Sequence, residues 1–592
     1  MLRVFDDSSE INMKKLLTLK ICLLLLSCCF LGCSVFKPKS KKRTFTGSVN
    51  DGTDATRDGT VVLDPLEGSL ESPLEVRQKD EFDSGSTDGF FDKKTPYAPT
   101  RRRLYRLTKN QLIHSVSQIF GSNLGSDFLG KDTSVGGYRN NAAALGFADK
   151  NEVEAVYRMI EEAFPIGDDQ TEALATLVGC STAELVCTPA KCSCMESYFQ
   201  KTMNRFLRRT VGAGEVKQFT AVYSNATGQL NLSQVAGFKY AITTLLTSPE
   251  FLFRYEVGVP AENGEFMLTD KEMLSRAAYV ALDGPPKIED LDDAENIVTE
   301  RPRFQEYVST ILASEDGGKV LKRFLYQWFQ LEDIQTLEKN PDIFPDFTAE
   351  LSKSMSNEVS AYLDQALLQG KLTLGHILGS KRTAVDETLA EFYGLQDSGE
   401  VAMSAQRKGL LTTAGFLAIN GGSDTTVPTR RGSFILSNLL CRSVAGVPSG
   451  LDLPPPSTDQ PQTTRQRFED IAKTGATCAG CHTVLDPIGF GLEAFAADGS
   501  FRVKENGINI STASVLKGMR LGDLTFNNSV ELVDKISESP EIHACAVRQA
   551  FRYTHGRQER PEDEVILARA YRQYKASDWD IRTLMMSFLT DY

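Results

Sequence analysis

The sequence predicts a mainly α fold, a multidomain helical array that follows a disordered N-terminal tether. Apolar residues recur at steps of three and four through long stretches after residue 100, the signature of amphipathic helices. Runs that alternate apolar and polar are scarce and short, those at 60–63 and 508–510 being the best. At 592 residues the chain also exceeds the size at which one hydrophobic core stops growing, so several domains share it.

Charge sets the class of partner. Lys and Arg number 65 against 78 Asp and Glu, a formal charge of −13. Nucleic-acid binding needs clustered cations to displace condensed counterions, so no nucleic-acid partner is expected. A hydrophobic fraction of 41% and a charged fraction of 24% exclude a wholly disordered chain and a polytopic membrane protein.

Residues 1–32 read as an export signal. Lys14 and Lys15 precede an apolar run over 16–31 that only Thr18, Lys20 and Ser27 interrupt, too short for a comfortable membrane span. Met13 fits as its start, because Asp6, Asp7 and Glu10 suit no signal. The run ends at Gly32-Cys33, which resembles a bacterial lipobox, where the cysteine takes lipid and becomes the new N-terminus. Ser27-Cys28 is a second match, and an ordinary signal peptide with cysteines in its apolar segment is the alternative. The expectation is a lipid anchor on Cys33, with the membrane as partner through that lipid. This places the chain outside the cytoplasm, in a bacterial cell envelope. Residues 33–100 are rich in Ser, Thr, Asp, Gly and Lys. They bury too little apolar surface to offset their ordering entropy, and they form the expected tether.

From residue 101 the helical pattern takes over. Leu107, Leu112, Ile113, Val116, Ile119 and Phe120 share a face, behind Thr108 as cap. Further amphipathic stretches are 151–164, 196–224, 234–246, 270–283, 302–314, 318–331, 349–369, 430–441, 529–537, 541–554, 562–576 and 580–589. A proline-rich connection over 453–462 separates two helical blocks, since a helix does not cross it.

Twelve cysteines divide by place. Cys22, Cys28 and Cys29 leave with the signal, and Cys33 carries lipid. Cys180, Cys187, Cys192 and Cys194 cluster, and in an exported protein suggest up to two local disulfides with three connectivities open. A zinc site is the rival, but Cys-x-Cys beside no histidine fits zinc poorly.

The chemistry-bearing motif is Cys478-x-x-Cys481-His482, the attachment pattern of c-type haem. On a helix, positions i, i+3 and i+4 share one face, so two thiols meet the haem vinyls while the imidazole reaches iron. His482 is the expected proximal iron ligand, Cys478 and Cys481 the thioether attachments, and one haem c the cofactor. A redox Cys-x-x-Cys wants a βαβ context, and a zinc half-site wants a second ligand pair; neither is present. Met519 is the candidate sixth ligand, with His543, His555, His114 and His376 as further candidates. No GxxxxGK[ST], HExxH or GxSxG motif occurs, so ATPase, metalloprotease and esterase readings lack their usual support.

The wider stretch Cys478-x-x-Cys481-His482-x-x-x-Asp486-Pro487-x-Gly489-Phe490-x-x-Glu493-x-Phe495-x-x-x-Gly499-x-x-Arg502 resembles a cytochrome-c-like domain of large exported proteins frequent in planctomycetes and myxobacteria. In these, domains of unknown function numbered 1592, 1588 and 1585 stand in series. Ser248-Pro249-Glu250-Phe251-Leu252-Phe253-Arg254-Tyr255-Glu256 opens the central domain, which continues through Gln327-Trp328 to Tyr393-Gly394. Leu282 occupies the place of a usual tryptophan. Phe206-Leu207-Arg208-Arg209 resembles a preceding short module, with Thr210 where a proline normally stands. Arg431-Gly432 and Leu440-Cys441 begin the haem-motif domain, and Cys545 to Tyr553 with Gly556-Arg557 mark the C-terminal module. The resemblance implies helical modules over 101–245, the 1592-like domain over 246–400, the 1588-like, c-type-cytochrome-like region over 405–510 and the 1585-like module over 520–592.

Further expectations follow for the matched positions. Asp486-Pro487 is read as a turn, and Gly489 and Gly491 as points of close approach over a porphyrin face walled by Ile488, Phe490, Leu492 and Phe495. Arg502 pairs with Glu493 or Asp498, or meets a haem propionate. Arg430-Arg431-Gly432 is read as a solvated helix start, with binding of a propionate or an acidic partner as its alternative, and Trp328 as a core residue, with a sugar-stacking platform as its alternative. With Cys478 and Cys481 on haem, Cys441 and Cys545 are left to form a long-range disulfide.

The leading expectation is a lipid-anchored extracytoplasmic protein of electron transfer or haem-dependent redox chemistry, meeting a redox partner or an envelope polysaccharide. The alternatives are a non-enzymatic envelope lipoprotein whose Cys-x-x-Cys is a structural disulfide, and a carbohydrate-acting envelope protein.

Overall fold

The computed structural model describes residues 86–91, 103–120, 129–130, 132–140, 150–164, 166–188, 191–260, 266–442 and 461–591. The export signal, Cys33, most of the tether, the expected strand at 60–63 and nearly all of the proline-rich connection lie outside these residues.

The fold is mainly α, and every sheet among the described residues is a two-stranded ribbon. Strand β1 (Arg103–Arg106) pairs antiparallel with β2 (Phe253–Glu256), Arg103 facing Glu256, and so closes the N-terminal part on itself. Between them lie α1 (Lys109–Phe120), α2 (Lys150–Ala163), α3 (Thr171–Val178), α4 (Ser193–Phe206), α5 (Ala213–Gly228) and α6 (Gln234–Leu246). Thr108 caps α1 as expected: its hydroxyl accepts from the Gln111 N–H, and the Gln111 amide oxygen accepts from the Thr108 N–H. Val116, Met159, Phe199, Phe238 and Leu246 fill the core between these helices. At the start of α4, the disulfides Cys180–Cys194 and Cys187–Cys192 nest one inside the other.

The stretch 196–224, read from sequence as one helix, is two, α4 and α5. The break comes at Arg208, which takes a left-handed φ of 58°. From there its buried guanidinium donates to the carbonyls of Phe251 at 3.0 Å and Phe253 at 2.7 Å, and to the Tyr279 hydroxyl at 3.0 Å. Amphipathic period alone does not register a single residue that leaves the helix to satisfy buried carbonyls.

Helix α7 (Asp270–Leu282) is the seam of the molecule, with residues 273–281 all buried. Tyr279 faces the N-terminal core, whereas Leu274, Ala277 and Ala281 face the second, larger core. That core unites α8 (Arg301–Ala313), α9 (Glu315–Trp328), α10 (Ala349–Leu368), α11 (Pro428–Phe434, prolonged by a π turn Ile435–Leu439), α13 (Ala476–Phe490), α14 (Ser529–Ser537), α15 (Pro540–His555), α16 (Glu564–Ala576) and α17 (Ile581–Leu589), while α12 (Thr464–Ile471) packs outside it on α13 and α11. Trp328 is 1% exposed and donates its indole N–H to the Asn438 carbonyl at 2.7 Å, which makes it a core residue and no sugar platform. The short strand expected near 508–510 is present, Ile508–Asn509 pairing with Lys504–Glu505.

The folded chain departs from the sequence reading at two places. Residues 86–91, inside the expected tether, pack on the C-terminal helices: Phe90 and Phe91 lie against the Tyr571 ring, and Asp88 accepts from Tyr571 and Lys575. The Phe-Phe pair supplies the apolar surface that the rest of the segment lacks. And Arg431, read as solvated, is 0% exposed.

Helices α11 and α13 cross in backbone contact. A Cβ on Gly432 would stand 2.0 Å from the Leu485 carbonyl oxygen, and one on Gly489 2.1 Å from that of Pro428. The close approach expected at Gly489 over a porphyrin is therefore taken by a helix. Gly491 is likewise occupied, by Leu532 and Phe526. Cys441, just past α11, is joined to Cys545 of α15 across a separation of 104 residues. On the chain-entropy account a loop of that length contributes about 4–5 kcal/mol.

Two outcomes follow. Gly489→Ala pushes apart two backbones that cannot repack, and should lower stability in urea by about 2–3 kcal/mol, with Gly432→Ala similar. Glu358 is 1% exposed and accepts from Thr383 and Tyr393 hydroxyls at 2.9 and 2.8 Å. Burial pushes its carboxyl from 4.5 up to about 7. The unfolded chain then releases this proton first, so stability attributable to Glu358 falls as pH rises from about 4.5 through about 7, by up to about 3 kcal/mol. Urea midpoints against pH should show that slope in the native chain, and Glu358→Gln should flatten it.

Candidate functional site

Helix α13 presents the motif on its first turns. Cys478, Cys481 and His482 share one helical face, and α12 lies in front of them, opened by a capping box between Thr463 and Gln466. The Phe468 ring of α12 stands 5.7 Å from the imidazole of His482. Cys478 and Cys481 are half-buried free thiols, whereas Cys180, Cys187, Cys192, Cys194, Cys441 and Cys545 are all paired.

His482 is held from behind. Its Nδ1 lies 2.7 Å from Asp486 Oδ2, one helical turn on, and the Thr429 hydroxyl of α11 donates to Asp486 Oδ1 at 2.5 Å. Asp486 is 2% exposed. Burial pushes its carboxyl up, and the bonds from Thr429 and His482 oppose that shift. An imidazole whose Nδ1–H donates to a carboxylate keeps its lone pair on Nε2, the nitrogen left for a metal.

Asp486-Pro487, expected as a turn, lies inside α13, which runs on to Phe490. Pro487 removes one ladder hydrogen bond, but the seating of Gly489 against Pro428 and the Asp486–Thr429 bond hold the helix to its neighbour. Ile488, Leu492 and Phe495 belong to the large core, and Phe490 is stacked under the Arg465 guanidinium at 4.7 Å.

Behind the helix stands a buried charge network. Arg431 donates to the carbonyls of Leu492, Phe495 and Ala496 at 2.8–3.0 Å and pairs with Glu493 at 3.4 Å. Thr426 donates to the other oxygen of Glu493 at 2.6 Å. Arg502 lies between Glu493 at 3.7 Å and Glu505 at 3.1 Å, so the pairing with Glu493 is present, while its Nε and Nη2 are buried without a hydrogen-bond partner. Asp498 instead accepts from Ser500.

The sequence candidates for a sixth ligand are each engaged elsewhere. Met519 is 6% exposed in the large core, its sulfur 4.0 Å from Arg442. His543 stacks on Trp579 at 3.8 Å, and burial pushes its pKa down to about 4. His555 stacks on Phe551 and its Nε2 lies 2.9 Å from Arg276. His376 Nδ1 stands 3.1 Å from the Lys371 carbonyl, and His114 lies on α1 against Gly284. Sequence reasoning missed the pairing of Asp486 with His482, although a His-x-x-x-Asp spacing on one helix face signals it. Thr429, far away in sequence, gives no such signal.

Four family models match the chain in order: Protein of unknown function (DUF1595) over residues 194–256, (DUF1592) over 268–395, (DUF1588) over 407–505 and (DUF1585) over 523–591. The motif helix and its partners Thr429, Arg431, Glu493 and Asp486 all fall in the third. No curated protein and no solved structure matches the chain. The chain thus belongs to the multidomain proteins that carry these four domains of unknown function in series.

Proposed function

We propose that the chain is an extracytoplasmic redox protein that carries one covalent c-type haem on α13 and is tethered to the envelope membrane through lipid on Cys33. The observation that carries this reading is the pair of free thiols on one helical face with a histidine whose Nδ1 is bonded to a buried carboxylate. Two thiols joined to each other would have supported the structural-disulfide alternative; these are apart. Among the described residues no helix is long and apolar enough to cross a membrane.

The residues fit the group. Cys478 and Cys481 form the thioether links, and His482 Nε2 is the iron ligand. The haem, once attached, supplies one-electron chemistry. Asp486 fixes the tautomer and ring orientation of His482, and its negative charge makes the imidazole a stronger donor, which favours the oxidised iron. Thr429 keeps Asp486 in place from α11, so the ligand's orientation depends on the crossing of the two helices.

Export of the chain with a c-haem maturation system, followed by haem staining after denaturing electrophoresis, is the direct test. A stained band is expected for the native chain and none for Cys478→Ala/Cys481→Ala; an unstained but folded native chain refutes the reading. In the loaded protein, Asp486→Asn should raise the midpoint potential while leaving the covalent band intact. An unchanged potential would mean that Asp486 serves packing alone.

A further inference from the structure

Helix α12 sits outside the large core with Thr464 as its one buried residue, and at eight residues it has little stability of its own. Its start is pinned, since Glu505 accepts from the Thr464 N–H at 2.6 Å and from the Thr464 hydroxyl at 2.7 Å. Its middle reaches the motif, where the Phe468 ring stands 5.7 Å from the His482 imidazole. Arg467, the residue before, donates from Nη2 to the hydroxyls of Thr464 at 2.6 Å and Thr425 at 2.9 Å. Thr425 lies four residues before Thr429, whose hydroxyl is 3.4 Å from His482 Nδ1. One polar helix thus touches the motif histidine and carries a cation beside it.

The cations here outnumber the carboxylates that serve them. Arg467 lies 3.9 Å from Glu505, Arg502 3.1 Å from Glu505 and 3.7 Å from Glu493, and Arg431 3.4 Å from Glu493. With every ion pair included, three guanidinium groups share two carboxylates, and Thr464 takes hydrogen bonds from both Glu505 oxygens. Asp498, the remaining carboxylate near Arg431, accepts from the N–H and hydroxyl of Ser500.

The shortage shows in the donors. Arg467 Nε, Arg502 Nε and Arg502 Nη2 are buried without a hydrogen-bond partner, as is Arg431 Nε deeper in the core. Buried N–H groups without acceptors cost stability, and two guanidinium groups in that state beside each other mark a place that lacks an acceptor. A water would satisfy a donor and leave the charge unmatched. A carboxylate supplies both, with two oxygens, about four lone-pair sites and a planar edge that matches the guanidinium fork. These nitrogens are covered in the closed arrangement, so a carboxylate reaches them only as α12 moves. That helix is the element free to do so, because polar contacts at its start hold it and little apolar burial does.

We propose that Arg467 and Arg502 hold a propionate carboxylate of the haem, with α12 as the strap that lifts to admit it and closes on it. This rests on the haem reading and gives α12 a role in it. The test uses the full exported chain as Cys478→Ala/Cys481→Ala, in which haem binding is reversible. It is titrated with ferric haem and with ferric haem dimethyl ester, whose two propionates are neutral.

Haem should bind roughly tenfold or more tighter than its ester. Adding Arg467→Gln/Arg502→Gln should bring the two affinities together, and hydrogen exchange of the α12 amides should slow with haem more than with ester. Equal binding of haem and ester, a preference that survives in the folded arginine variant, or exchange that haem leaves unchanged would each overturn the proposal. Should the double variant misfold, the comparison of haem with ester stands without it, and Arg467→Gln alone, on the outer helix, gives the second reading. Binding of neither form by the folded chain overturns the proposal as well. Haem staining of the native chain then judges the haem reading separately, and a stained chain that shows no preference for haem over ester keeps that reading and loses this one.

Discussion

Arg431 is the interaction on which the motif region depends. Its guanidinium is wholly buried, and it binds the carbonyls that follow α13, the carbonyl of Leu417 before α11 and the carboxylate of Glu493. Burial pushes its pKa down to about 10, so it still carries its charge at neutral pH. A charge taken so far from water is tolerated only because acceptors surround it, and removal of those acceptors would leave an uncompensated cation in the core. Such a group specifies one arrangement of three chain segments, because few others satisfy it.

The glycine crossing and the His482–Asp486–Thr429 chain follow from that arrangement. With the segment after α13 locked to α11, the two helices lie close enough that Gly432 and Gly489 must lack side chains. At that separation Thr429 reaches Asp486, and Asp486 orients His482. The π turn that prolongs α11 carries Asn438, whose carbonyl accepts from Trp328 of α9 and Gln549 of α15, and the Cys441–Cys545 disulfide adds a covalent tie to the same helix. The site is thus supported by the large core and not by its own domain alone.

Much of this was legible in the residues. The amphipathic period located helices such as Gln234–Leu246 and Ser529–Ser537 to the residue, because their apolar stripes face one core. It failed at 196–224, where Arg208 leaves the helix for a partner remote in sequence, and at Asp486-Pro487, where a proline that signals a break is held inside a helix by contacts with α11. Arg430-Arg431 looked like an exposed pair because charge is ordinarily solvated, and only the folded chain reveals carbonyls converging on Arg431.

The sequence by itself determined the helical class and a helix face bearing Cys478, Cys481 and His482, since these rest on local spacing and composition, and its resemblance to a known family implied the serial domains. It also isolated Cys441 and Cys545 as a pair. The tertiary structure alone decided which charges are buried, that Thr429 stands behind Asp486, and that Arg467 and Arg502 meet at Glu505. The physical reason is range. Periodicity and capping act over a few residues, whereas desolvation and buried ion pairing depend on segments far apart in the chain, whose meeting no local pattern records.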